Sequence, residues 1–218
     1  MNPIDNALDL LGPHRVVPVV VLDDAARAAD LGEALKVGGL PVAEVTFRSP
    51  GATKVLQVLA ERGDLVVGAG TVITPAQVDV AHDAGATFVV SPGLSPSVVR
   101  RCQELGLVVL PGVCTPADII AALDLGLDTL KFFPAEASGG LGMVEALAAA
   151  FPQVRFMPTG GITAASAPAY LAHRAVAAIG GTWMVSPTLL EAGDWDEVAR
   201  RSADAVRLYA PDSPVPVQ

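Results

Sequence analysis

The chain of 218 residues is 51% hydrophobic yet only 5% aromatic and carries a formal charge of −9, so a single core of Ala, Val, Leu and Ile is expected, burying roughly 70% of the unfolded surface. That composition excludes a disordered chain, a collagen and a disulfide scaffold, and the 14 scattered basic residues lack the electrostatic footprint of a nucleic-acid or anionic-membrane binder. The first twelve residues hold Asp5 and Asp9 but no Lys or Arg, and the apolar run 16–22 is far too short for about 30 Å of bilayer, so a cytoplasmic chain is expected.

In chain order, an extra helix is expected over residues 2–12, followed by short β-rich runs at 16–22, 43–47, 65–70, 88–92, 108–112, 129–134, 155–159 and 176–180. The segments between them carry helical patterning. Helix starts are marked by Ser or Thr before Pro at Ser49-Pro50, Thr74-Pro75, Ser95-Pro96 and Thr115-Pro116, an N-cap followed by the residue favoured at the first helical position. Thr74 with Gln77 has capping-box spacing. Helix stops are expected at Gly38, Gly63, Gly85, Gly106 and Gly126.

V-V-S-P-G-L-S-P at 89–96 is echoed by V-V-L-P-G-V-C-T-P at 108–116, so the repeating unit is βα. Eight such units predict a parallel (β/α)8 TIM barrel with the N-terminal helix closing its bottom. An open doubly wound sheet is the alternative, disfavoured because strand 1 leads into Asp23-Asp24 rather than a glycine-rich turn. Residues 1–209 are read as one domain and 210–218 as a flexible tail.

Chemistry in a barrel belongs at the C-terminal ends of the strands. Of the three lysines, Lys36, Lys54 and Lys131, the last lies in the apolar strand T-L-K-F-F-P. In water about one lysine amine in 2,500 is neutral at pH 7, and an apolar surround raises that fraction until the amine can attack a carbonyl. A snorkelling or ion-paired strand lysine is the competing reading. On strand 2, alternation puts Glu44, Thr46 and Arg48 on one face and Val45 and Phe47 on the other. Glu44 and Arg48 are therefore expected to point inward, as an acid/base and a nearby cation or as a structural ion pair. The latter is weakened by their separation of about 14 Å along the strand.

Polar or glycine-rich strand ends also occur at G-A-G-T closing on Thr71, P-T-G-G at 158–161 and I-G-G-T at 179–182. The last two fit backbone cradles for a phosphate, although Gly-Gly pairs also make ordinary turns. Trp183 and Phe133 read as packing residues. Cys102, Cys114, His14, His82 and His173 show no metal-ligand spacing, so a catalyst built on this chain is expected to need no metal.

The segments P-V-V-V-L, E-V-T-F-R, V-G-A-G-T-V, S-P-G-L, L-P-G-V, L-K-F-F-P-A-E, F-M-P-T-G-G-I and I-G-G-T-W, in this order, resemble the 2-keto-3-deoxy-6-phosphogluconate (KDPG) aldolases, whose members often also cleave 4-hydroxy-2-oxoglutarate (KHG). The resemblance runs from about residue 10 to about residue 205. It implies a metal-free, cofactor-free class I aldolase acting on a keto-acid phosphate, and a homotrimer. It makes Lys131 the Schiff-base lysine and Glu44 the general acid/base. Arg48 and Thr71 would take the pyruvyl carboxylate, Pro92 and Phe133 would wall the pocket, and Thr159 would sit beside the substrate hydroxyl. Gly160, Gly161, Gly181 and Thr182 would hold the phosphate. Ser49 and Thr182 depart mildly from the family, standing where threonine and serine are common. The galactonate epimer as substrate, a metal-free phosphosugar isomerase or epimerase, and a catalytically silent sugar-phosphate sensor remain open alternatives.

Overall fold

The computed structural model describes residues 7–11 and 13–209. Its strands are β1 (Val16–Val20), β2 (Val42–Thr46), β3 (Val66–Gly70), β4 (Phe88–Val90), β5 (Val108–Leu110), β6 (Gly112–Val113), β7 (Thr129–Phe132), β8 (Arg155–Pro158) and β9 (Ile179–Gly181). Strand pairing is parallel throughout. One curled sheet has the order β5-β4-β3-β2-β1-β9 and another β6-β7-β8. Chain-neighbouring strands thus lie side by side, as short right-handed βα crossovers require. The expected fifth strand, 108–112, is interrupted at Pro111, which has no N–H for the ladder and splits it into β5 and β6. Single parallel bridges, Phe156↔Val176 and Thr159↔Gly180, connect the β8 and β9 segments.

The strands are nearly all buried, so they read as apolar runs. Around them pack α2 (Ala28–Val37), α3 (Ala52–Glu61), α4 (Pro75–Asp83), α5 (Pro96–Glu104), α6 (Pro116–Asp124), α7 (Gly140–Ala150), α8 (Ala167–Ala172), α9 (Pro187–Ala192) and α10 (Trp195–Arg207), with α1 (Ala7–Leu11) ahead of β1. Among the described residues no helix is long and apolar enough to cross a membrane. The described part of the expected 2–12 helix is α1, whose Ala7 and Leu10 are buried. Residues 2–6, residue 12 and the expected tail 210–218 lie outside the described residues.

The capping box at Thr74 and Gln77 forms as expected, and a second, Thr115 with Asp118, opens α6. Two boundary expectations need correction. Helix α3 starts at Ala52 rather than after Ser49: the Ser49 hydroxyl turns to the Leu22 carbonyl (3.4 Å), and the Asp23 carboxylate takes the Gly51 N–H (2.6 Å). At the end of α2, Gly38 keeps right-handed φ (−70°), and Gly39 makes the left-handed turn (φ 71°). Gly38 instead provides close approach, because a Cβ there would collide with Ser202 and the Ala199 carbonyl of α10.

Candidate active site

Strand β2 runs one residue earlier than expected and ends at Thr46, where the Arg48 N–H folds back onto the Thr46 carbonyl at 2.8 Å. Arg48 therefore lies in the exposed turn beyond the strand, not on its inward face beside Glu44. Its Nε donates to the Thr71 hydroxyl at 3.2 Å. Thr71 has φ 60°, the sole positive value of a non-glycine among the described residues. A β-branched side chain resists that region, so the position stores strain.

Glu44 does face inward. Its backbone is in register with Val19 of β1 and Gly68 of β3, and its carboxylate leans over Gly70, where a Cβ would overlap Oε1 and stand 2.7 Å from Cγ. One level below, the ring of Phe88 occupies the space over Gly68. Two glycines of G-A-G-T thus clear room, the first for core packing and the second for a carboxylate.

Lys131 enters the same space from β7, held in register with Gly112 and Met157. Its Nζ lies 3.4 Å from Glu44 Oε1 and 4.9 Å from the centre of the Phe133 ring. The residues are 4% and 1% exposed, and Glu44 Oε2 has no hydrogen-bond partner. Two buried charges are costly to desolvate, and a long contact with one oxygen left orphaned recovers little of that cost. Fold stability is therefore a poor reason for this pair, whereas a reacting hydroxyl or carbonyl would complete it. Lys36 and Lys54 are exposed, bonded to Asp64 and Gln57.

The other expected residues lie at or just past the C-terminal ends of β4, β7, β8 and β9. Pro92, half-buried, lends its carbonyl to the space over Gly112, the register partner of Lys131. Thr159 is 5% exposed, donates to the Met157 carbonyl (3.4 Å) and covers Gly180, where a Cβ would stand 2.9 Å from its Cγ2. Gly160 (φ 103°) packs against Phe133, and Gly161 (φ 83°) is exposed beside it. Gly181 lies under the Trp183 ring, and Thr182 is exposed at the rim, its carbonyl accepting from Val185 N–H at 3.0 Å. Consecutive left-handed glycines turn peptide N–H groups in directions that L side chains disfavour, a geometry suited to anions.

Sequence reasoning gave no role to Gly70, although the alternation of G-A-G-T beside an inward Glu44 was a usable signal. Burial pushes the Cys102 thiol up to about 12, the behaviour of an inert buried thiol. His82 is exposed beside Asp83, and His173 accepts from the Ala175 N–H.

The family model for KDPG and KHG aldolases matches residues 7–201. The 2-dehydro-3-deoxy-phosphogluconate aldolase of Haemophilus influenzae is 45% identical over 202 residues, which cover 92% of this chain and 95% of that protein. The structure of the Zymomonas mobilis ZM4 2-keto-3-deoxy-6-phosphogluconate aldolase with 3-phosphoglycerate is 42% identical with a TM-score of 0.86, covering 91% of this chain and 94% of that one. That of the Legionella pneumophila KDPG aldolase, with pyruvate captured at low pH as a covalent carbinolamine, is 37% identical with a TM-score of 0.88, covering 91% and 97%.

Proposed function

The chain belongs to the KDPG and KHG aldolase family, and on that premise we propose that it is a class I aldolase cleaving KDPG to pyruvate and D-glyceraldehyde 3-phosphate. KHG, giving pyruvate and glyoxylate, is a second substrate in this reading. The observation that carries it is the buried Lys131–Glu44 pair with its unpartnered Oε2.

Neutral Lys131 attacks the C2 carbonyl of the keto acid, and loss of water from the carbinolamine leaves an iminium. Glu44 accepts the proton of the C4 hydroxyl. The C3–C4 bonding electrons move into the iminium, leaving an enamine and the aldehyde. Protonation at C3 and hydrolysis then release pyruvate and regenerate the amine. Arg48 and Thr71, already bonded to each other at 3.2 Å, bind the carboxylate. Pro92 and Phe133 wall the pyruvyl group, and Thr159 orients the C4 hydroxyl. Gly160, Gly161, Gly181 and Thr182 hold the terminal phosphate on peptide N–H groups and a hydroxyl.

The chain continuity of β5 into β6 and the bridges from β8 to β9 support closure of both sheets into a (β/α)8 barrel over residues 1–209, with α1 at its bottom. The enzyme is cytoplasmic and free of metal and cofactor, and its homotrimeric state is carried over from the family resemblance.

The test is incubation with pyruvate and borohydride followed by peptide mass analysis. A reduced pyruvyl adduct on Lys131 is the expected result. An adduct on Lys36 or Lys54 would move the nucleophile, and no adduct would favour isomerase or epimerase chemistry using Glu44 without covalent attachment.

A further inference from the structure

Glu136 begins the short 3-10 turn Glu136–Ser138 after β7, and no step above uses it. Its backbone and methylenes meet the Gly160–Gly161 turn, and its carboxylate meets the helix beyond. The Glu136 N–H donates to the Gly160 carbonyl at 3.0 Å, next to an Ala135 N–H donation to the Thr159 carbonyl at 2.8 Å. Its Cβ and Cγ lie against Gly161, where an added Cβ would stand 2.8 Å from each. Its Oε1 accepts from the Tyr170 hydroxyl at 2.8 Å. Tyr170 is 2% exposed and sits on α8, the helix into which the glycine turn leads.

Two successive glycines at φ 103° and 83° have many other conformations open to them, so their geometry must be imposed from outside. Glu136 touches the turn with backbone and methylenes, and Tyr170 anchors its carboxylate to the following helix. A bare carboxylate beside a phosphate site would repel the ligand, so attraction by charge is not what it supplies. Preorganised peptide donors gain affinity because they need no reordering when the anion arrives.

We propose that Glu136 is a positioning residue for substrate phosphate: held by Tyr170, it fixes the Gly160–Gly161 turn so that its peptide groups meet the phosphate of KDPG. The inference rests on the aldolase reading and deepens its phosphate end. It predicts a split between substrates, because KHG carries no phosphate.

The experiment compares wild type, Glu136→Ala, Glu136→Gln and Tyr170→Phe on KDPG and KHG, with inorganic phosphate as a competitive inhibitor of KDPG cleavage. Glu136→Ala and Tyr170→Phe should each raise KM for KDPG about tenfold, the usual scale of one lost hydrogen bond to a charged group. The inhibition constant for phosphate should rise in step, while kcat/KM for KHG falls less than about threefold on the same scale. Glu136→Gln, which keeps the acceptor for Tyr170, should stay near wild type. Tyr170→Phe removes one oxygen atom and keeps the ring, so it reads the bond even if Glu136→Ala does not fold. Equal losses on both substrates, no loss in Tyr170→Phe, or a Gln variant as damaged as the Ala variant would overturn the inference. Wild-type protein that forms no pyruvate adduct would instead overturn the aldolase reading beneath it.

Discussion

The carboxylate of Glu44 stands where a side chain on Gly70 would be: a Cβ there would overlap Oε1 and lie 2.7 Å from Cγ. The two residues sit on adjacent strands, with Glu44 in register with Gly68 and Thr46 with Gly70. The carboxylate therefore reaches two residues up the neighbouring strand, toward the mouth and Lys131 Nζ. Glycine at position 70 is what lets a buried acid approach the amine.

Gly70→Ala should push this carboxylate aside. Misplacement of a catalytic group by about 1 Å costs on the order of 10²-fold in rate, and overpacking a filled interior costs about 1–3 kcal/mol of stability. Steady-state kinetics beside urea denaturation separates the two effects. Activity close to wild type would mean that Glu44 has room to move without consequence.

Glu44→Gln retains size and hydrogen bonding but cannot accept the C4 proton. Turnover should fall roughly 10²–10⁴-fold, the usual contribution of general acid–base catalysis. Some pyruvate trapping by borohydride should remain, since attack by Lys131 is a separate event. Turnover near wild type would show Glu44 to be structural.

Thr71→Gly tests strain against function at one position. The left-handed backbone at φ 60° is unfavourable for threonine by about 1–2 kcal/mol and nearly free for glycine. Stability should therefore hold or rise, even though the hydroxyl contact with Arg48 Nε is lost. Arg48 without that partner should bind the pyruvyl carboxylate less well, and KM for both substrates should rise several-fold, on the scale of one hydrogen bond. A loss of stability without change in KM would mean that Thr71 serves the fold alone.

Local rules carried the fold reading far. Thr74, Pro75 and Gln77 announce α4, and Gly63, Gly85, Gly106 and Gly126 take the left-handed turns assigned to them. Lys131 and Glu44 were readable because a charged residue inside an apolar strand conflicts with its surroundings. Arg48 was misplaced because alternation assumes that the strand continues, whereas a backbone bond to the Thr46 carbonyl ends it. Gly38, Gly51 and Gly70 were opaque for another reason. Each is small because of what a different element brings against it: Ser202 of α10, the Asp23 backbone and the Glu44 carboxylate. Such demands exist only once registers and helix crossings are known.

The box that opens α6 gives a pH-dependent prediction. Burial alone would raise the Asp118 carboxyl, but hydrogen bonds from the Cys114 N–H and from the Thr115 hydroxyl and N–H outweigh it and hold the group below its ordinary range. The folded state therefore binds the proton less readily than the unfolded state. The resulting stabilisation is complete above the unfolded value, near pH 4, and disappears as pH falls through the lower folded value. Asp118→Asn keeps an acceptor oxygen but removes the negative charge from the helix N-terminus, at a cost of about 1 kcal/mol near neutrality. Urea denaturation of both proteins at pH 7 and at pH 3 should show a stability gap that narrows at the lower pH. A gap of equal size at both would mean that the bonds to Cys114 and Thr115 act through geometry and not through charge.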